Sequence, residues 1–434
     1  MFRKAQLIML FALLVLAFTF SGAQAQEPIR IGLLQDLSGW LTVYGIESVN
    51  GFELGLLYAA GIDPTEYDSI DAALADVTVA GRPIELIIKD YGSENPANDA
   101  DNASAGAREL IESEFVDIIY GTPNSGAAIA LQGVIAPDNY NVLLMAGPSA
   151  SPTITGANFN VNTFRVCRNT DQDALTLATQ AAEVGGTWVQ IAVDTDFGRA
   201  TAESFQAANE GNVEFVRDTI YVPTDATDLT PFIQQILDSG AEVVNPIFAG
   251  DLTALWTQQA IELGLPDSVT IISGTNSNDF IVAAPPYVGT VAYIVYNYTL
   301  PQTEINDWLV EKHIAMFQDV PDLFTECAFA SAQALYAGLE ATEGDPFPEA
   351  MIPALEGLTF EGPKGTYAIR PEDHQALMPT YLIRFMGIED VELAEGLTAP
   401  LPNYELVSEV LPENMPLPCR APGRSSETLT CPES

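Results

Sequence analysis

Short apolar runs rich in β-branched residues alternate along the chain with longer segments whose apolar positions recur at helical spacing. Ile29–Leu34, Ile84–Asp90, Val116–Gly121 and Val142–Gly147 read as strands, separated by helices from about Val49 to Ala60, over Ala103–Ser113 and over Ser125–Ile135. The rhythm restarts after Phe164-Arg165. Trp188–Asp194, Val213–Val222, Ala241–Phe248 and Val269–Gly274 are expected strands, with helices at Ala200–Asn209, Pro231–Ser239 and Leu252–Gly264. A strand at Val291–Asn297 leads into helices over Glu304–Phe317, Thr325–Thr342 and Pro348–Leu358, and Thr380–Phe385 is the last strand. Strands of four to eight residues separated by longer helices imply βαβ units and parallel sheets. The strands are apolar nearly throughout, as strands covered by helices on both faces are. Two α/β lobes of similar size follow, crossed by the chain more than once, and the proline-rich residues from Ile388 to Ser434 read as an extension.

Ahead of this pattern, Arg3 and Lys4 precede an apolar run from Leu7 to Phe20 and the small-x-small sequence Ala23-Gln24-Ala25. That is the three-part pattern of a cleaved signal peptide over residues 1–25, and no later segment is apolar enough to span a bilayer. The mature chain is expected to be exported, periplasmic and soluble. Export makes all four cysteines disulfide candidates. Cys419 and Cys431 suit a local staple, which leaves Cys167 for Cys327. Four cysteines allow three connectivities, and free thiols are an open alternative.

The chain has 434 residues, and its 59 acidic against 16 basic side chains give a net charge of −43. Nucleic-acid binding needs a basic footprint, so that class is excluded. The two histidines offer no metal-ligand spacing: His313 is expected on a solvated helix surface and His374 in a polar turn bonded to backbone. Phosphate-binding, dinucleotide and nucleophile-elbow motifs are all missing from the sequence, so no metal, cofactor or catalytic residue is expected. What remains is a pair of hydroxyl-rich loops at strand carboxyl ends, where open α/β sheets bind ligands. Thr122-Pro123-Asn124-Ser125-Gly126 opens a helix, and Pro148-Ser149-Ala150-Ser151-Pro152 follows the next strand. Singly each reads as an N-cap or a turn; facing one another they make a cradle for a carboxylate or a polar headgroup.

An ordered series of short segments resembles the periplasmic solute-binding proteins of branched-chain amino acid (leucine/isoleucine/valine) ABC transporters. It runs from Ile29-Arg30-Ile31-Gly32, Leu37-Ser38-Gly39 and Tyr44-Gly45 through Gly51-Phe52-Glu53-Leu54 to Ala107-Arg108-Glu109-Leu110-Ile111. Ser125, Phe164-Arg165, Asp196-Phe197-Gly198, Glu361-Gly362-Pro363 and Asp373-His374-Gln375 continue it, so that residues 27 to 388 are covered. The resemblance implies a type I, Venus-flytrap fold: two Rossmann-like lobes with parallel central sheets, joined by three hinge crossovers. Residues 26–166 and 298–365 would form the N-terminal lobe, 167–297 and 366–388 the C-terminal lobe, and 389–434 the extension.

The resemblance further implies a monomeric binding protein that captures a small amino acid, carboxylate or amide between its lobes and delivers it to a permease. Ser125, with Ser149, Ala150 and Ser151, matches the family's carboxylate cradle, Tyr44 and Phe197 match its aromatic walls, Ala249 or Phe248 stands at a further aromatic position, and Thr275 completes the site from the second lobe. The glutamate that holds an amino group in such proteins is replaced by Thr275-Asn276-Ser277. Asp251 or Asp279 would have to substitute for it, although Asp251 reads more simply as an N-cap. A sensor working through a separate receptor and an exported α/β enzyme are the alternatives from other classes.

Overall fold

The computed structural model describes residues 27–92 and 95–433, so the expected signal peptide lies outside the described residues. One sheet runs in the order Thr78–Val79, Arg82–Asp90, Ile29–Gln35, Ile118–Gly121, Leu143–Ala146 and Thr163–Phe164. Its neighbours are parallel except at the first pair. A second sheet runs Leu397–Val410, Thr380–Ala394, Val291–Ile294, Thr270–Gly274, Val243–Ile247, Thr187–Val193 and Glu214–Phe215, with Ile220–Val222 also paired to Thr187–Val193. A small antiparallel sheet of Thr359–Gly362, Gly365–Ile369 and Ala376–Leu377 completes the strands. The chain passes from the first large sheet to the second after Phe164 and out of the second after Ile294. It re-enters the second at Thr380.

The first lobe is held by helix Thr42–Ala59 lying against helix Leu323–Ala341. A Cβ on Gly51 would stand 2.1 Å from the Thr325 carbonyl oxygen, and one on Gly55 would stand 2.4 Å from that of Phe329. Only glycine permits that backbone approach. The Cys167–Cys327 disulfide ties the crossover after Phe164 to the second turn of the latter helix, and Cys419–Cys431 closes a loop near the carboxyl terminus.

Several elements differ from the sequence expectation, each for a physical reason. Helix Thr42–Ala59 begins two turns earlier than its apolar period suggests, and helix Thr170–Val184 carries no such signal at all. Its first turn buries Thr170, Asp171, Gln172 and Asp173; a capping box with Asn169 serves Gln172, Ser204 donates to Asp171, and Arg168 stands 3.4 Å from Asp173. The expected strand Val213–Val222 is two short ones. The strand expected to end at Phe385 runs on to Ala394, turns at Gly396 and pairs back through Leu397–Val410. That returning strand contains Pro400 and Pro402, which reads as loop in sequence. It lies at the sheet edge, where a missing N–H leaves no partner unpaired.

His313 is buried rather than solvated. The chain reverses at Gln318 and brings the Asp319 carbonyl within 2.7 Å of its Nδ1, and burial pulls the imidazole down to about 4. His374 sits in its turn with positive φ, bonded to the Thr163 carbonyl and Glu356 and stacked on Phe164.

Several carboxyl groups are pushed upward by burial. Asp322 and Glu53 reach about 7 and Asp173 about 6. In the folded state these groups hold protons that the unfolded chain releases above about pH 4. Their contribution to stability is therefore present at low pH and is lost as pH rises through 6 to 7. The protein is expected to melt at a higher temperature at pH 5 than at pH 8 when calorimetry is run at matched ionic strength. An equal or higher melting temperature at pH 8 would contradict this reading of the buried acids.

Candidate functional site

The carboxyl ends of Ile118–Gly121 and Leu143–Ala146 lead into the two hydroxyl-rich loops. Asn124 accepts from the Ala127 N–H and so starts helix Ser125–Ile135, as its sequence position predicts. The second loop is oriented from behind by two arginines of the first crossover. Arg165 donates to the Ser149 and Ser151 carbonyls at 3.3 and 2.7 Å, and Arg168 donates to the Pro148 carbonyl at 3.2 Å. With its carbonyls held that way, the loop turns the Ala150 and Ser151 N–H groups toward Ser125, whose Oγ accepts both at 3.3 and 3.2 Å. Two backbone donors thus fix the Ser125 oxygen, which leaves its O–H to donate to a carboxylate oxygen in the cleft.

Across from this cradle, the second sheet opens. Strands Val243–Ile247 and Thr270–Gly274 pair only at Val243–Thr270 and Val244–Ile271. Beyond those residues the cleft enters between them, reaching Asn245 and Pro246 on one margin and Ser273 and Gly274 on the other.

Tyr44, Ser125, Ala150, Phe197, Phe248 and Thr275 all line this space. Phe248 stacks on Trp256 with ring centroids 5.3 Å apart, which fixes that wall. Ser149 and Ser151 are buried behind the cradle and do not line the cleft. The Ser149 hydroxyl has no partner among the described residues, and the Ser151 hydroxyl accepts from Thr153. Asp251 and Asp279 are exposed and outside the cleft, Asp251 in the first turn of its helix behind the cap residue Gly250.

The two lobes are closed on each other. The Tyr44 hydroxyl donates to Asn276 Oδ1 at 2.5 Å and accepts from the Gly250 N–H at 3.1 Å. Asn276 is further held by donating to Thr253 Oγ1 at 2.7 Å. Burial pushes the Tyr44 phenol far up, so it stays neutral and able to donate. Beside it, Glu47 accepts from the Phe324 N–H and Asp322 from the Asn278 N–H, the latter joining the crossover to the second lobe. Burial raises both acids, with Asp322 adding to the effect on Glu47.

Sequence reasoning missed several residues of the wall. Trp40 is held by Asp99, Phe324 meets the Tyr44 ring edge-on at 4.7 Å, and Tyr404 reaches Thr275 Oγ1 at 3.3 Å. Tyr404 belongs to the returning proline-bearing strand, whose alternation was the available signal. Arg168, one residue after Cys167, carried no sequence signal, because only the fold turns it into the cleft.

The chain is similar to known proteins along nearly its whole length. It is 24% identical over 393 residues to the Leu/Ile/Val-binding protein homolog 6 of Brucella suis biovar 1, covering 88% of this chain and 94% of that one. Among solved structures, an ABC-type branched-chain amino acid transporter protein of Rhodopseudomonas palustris CGA009 superposes with a TM-score of 0.70 at 28% identity, covering 91% of this chain and 99% of that one. A solute-binding protein of Rhodopseudomonas palustris BisB5, in complex with 3,4-dihydroxybenzoic acid, has the same fold at a TM-score of 0.73 and 21% identity, with 90% and 99% covered. The periplasmic binding protein family model matches residues 28–387, and with the two-lobed fold and its interlobe cleft the chain belongs to that family.

Proposed function

We propose that this protein is the extracytoplasmic solute-binding component of an ABC transporter, which captures a small carboxylate between its lobes and hands it to the membrane permease. The observation that carries the reading is the convergence of the Ala150 and Ser151 N–H groups on Ser125 at the floor of an interlobe cleft. A solute bound there touches both lobes, so it stabilises the closed form over the open one by the contacts only that form offers. The permease then meets a closed, loaded protein. No helix among the described residues is long and apolar enough to cross a membrane, which fits delivery after export and cleavage behind Ala25. We read the chain as a binding protein and not as an enzyme, in keeping with its family.

A charge-assisted hydrogen bond contributes about 1.5–3 kcal/mol, so Ser125→Ala is expected to weaken carboxylate binding by about 10- to 100-fold in calorimetric titration. Unchanged affinity removes Ser125 from the site. Delivery is tested by uptake of the radiolabelled solute in cells with and without this chain. Uptake that needs the chain and falls with Ser125→Ala supports transport, and uptake indifferent to the chain contradicts it.

A further inference from the structure

Building on the solute-capture reading, we infer that Arg168 is the charge anchor of the cleft and that the ligand is an aromatic monocarboxylate lacking an ammonium group. The chain carries 59 acidic side chains against 16 basic ones, yet among the described residues the cleft wall includes no carboxylate and one guanidinium, that of Arg168. This side chain is 6% exposed. Its Nη1 is used by the Pro148 carbonyl, and its Nε stands 3.4 Å from Asp173 Oδ2 without hydrogen-bond alignment. Among the described residues Nη2 has no hydrogen-bond partner. Asp173 balances the buried charge, and Nη2 is left to donate to an anion.

The position suits that role. Through Pro148 the guanidinium adjoins the loop whose Ala150 N–H meets Ser125, so cradle and cation share one end of the cleft. Its Cζ lies 5.4 Å from the centroid of the Phe324 ring, which in turn meets Tyr44. Trp40, Tyr44, Phe197, Phe248, Phe324 and Tyr404 give the remaining wall its aromatic character. An anionic headgroup is met there by Arg168 and the Ser125 hydroxyl, with flat apolar surface around its body. A zwitterion would bring an ammonium that no carboxylate of the wall receives, and leaving that charge unpaired disfavours it strongly. Arg168 therefore selects anions over neutral isosteres, and the lack of acids rejects amino acids.

The test uses the mature protein with benzoate, 4-hydroxybenzoate and 3,4-dihydroxybenzoate, each beside its own carboxamide, and with tyrosine and leucine. Since Arg168→Gln alone strands Asp173 and threatens folding, the variant is Arg168→Gln with Asp173→Asn, and Arg168→Lys serves as a partial rescue. Calorimetric titration is expected to show at least one of the three anions binding about 10- to 100-fold tighter than its amide, and the amino acids not binding. In the double variant that ratio falls close to one while amide affinity is kept, and Arg168→Lys restores part of the preference. A ratio unchanged in the double variant removes Arg168 as the anchor. Tyrosine or leucine binding while the three anions do not overturns the ligand class but leaves solute capture standing. Silence from every solute contradicts solute capture itself.

Discussion

Gly250→Ala is expected to lower the affinity for the bound solute by about 100-fold or more, the largest effect of any single substitution away from the ligand. Gly250 has φ +58°, and a Cβ there would stand 2.6 Å from the Trp40 carbonyl oxygen and 2.9 Å from its ring. Trp40 belongs to the first lobe and Gly250 to the second, so the clash exists only when the lobes are closed. The strained dihedral alone costs on the order of 1–3 kcal/mol, and the interlobe clash adds to it only in the closed state. Apparent affinity scales with the closed fraction, so a variant held open binds weakly even with an intact cradle. Titration of the variant with the solute that binds the unaltered protein is the check. Wild-type affinity in Gly250→Ala would mean that binding does not need the closed arrangement seen around Tyr44.

The second large effect concerns stability. Replacing Cys167 and Cys327 together by serine is expected to lower the melting temperature by roughly 6 °C. The bond closes a ring across 160 residues of sequence separation. Loop-closure entropy makes such a cross-link worth about 5 kcal/mol, and a chain of this size converts that into roughly 6 °C. The bond also lies under the cradle, since a Cβ on Gly147 would meet Cys167 Sγ at 2.8 Å, and it precedes Arg168 directly. Affinity is therefore expected to fall along with stability. A melting temperature unchanged in the double serine variant would show that the hinge is held by packing alone.

The core of both lobes was legible because parallel strands buried on both faces write themselves as apolar runs. Ile118–Gly121 and Leu143–Ala146 are of this kind, and the loops behind them announced the cradle. Two sorts of element were hidden. The first turn of Thr170–Val184 and the crossover arginines are polar residues satisfied by partners hundreds of positions apart or across a hinge, such as Arg165 with Gln375. No local pattern encodes such pairs. The strand Leu397–Val410 was hidden by prolines that its edge position tolerates, and with it went Tyr404.

The missing glutamate, by contrast, was visible in sequence as Thr275-Asn276-Ser277. Asp251 and Asp279 are both exposed and lie outside the cleft. The Asn276 amide, bonded to Tyr44, lies on that side of the cleft, and Arg168 of the crossover supplies the one guanidinium of its wall among the described residues.

Thermal unfolding of the mature protein against a panel of solutes tests capture between the lobes most directly. The panel holds aromatic and aliphatic carboxylates, their amides, urea, and branched-chain and polar amino acids. A solute present at 100 times its Kd adds about 2.7 kcal/mol to the stability of the closed form, which raises the melting temperature by a readable few degrees. The expected result is a rise with carboxylates that shrinks to half or less in Ser125→Ala at the same solute concentration. A flat response across the whole panel would contradict the assignment of this cleft as a solute-binding site.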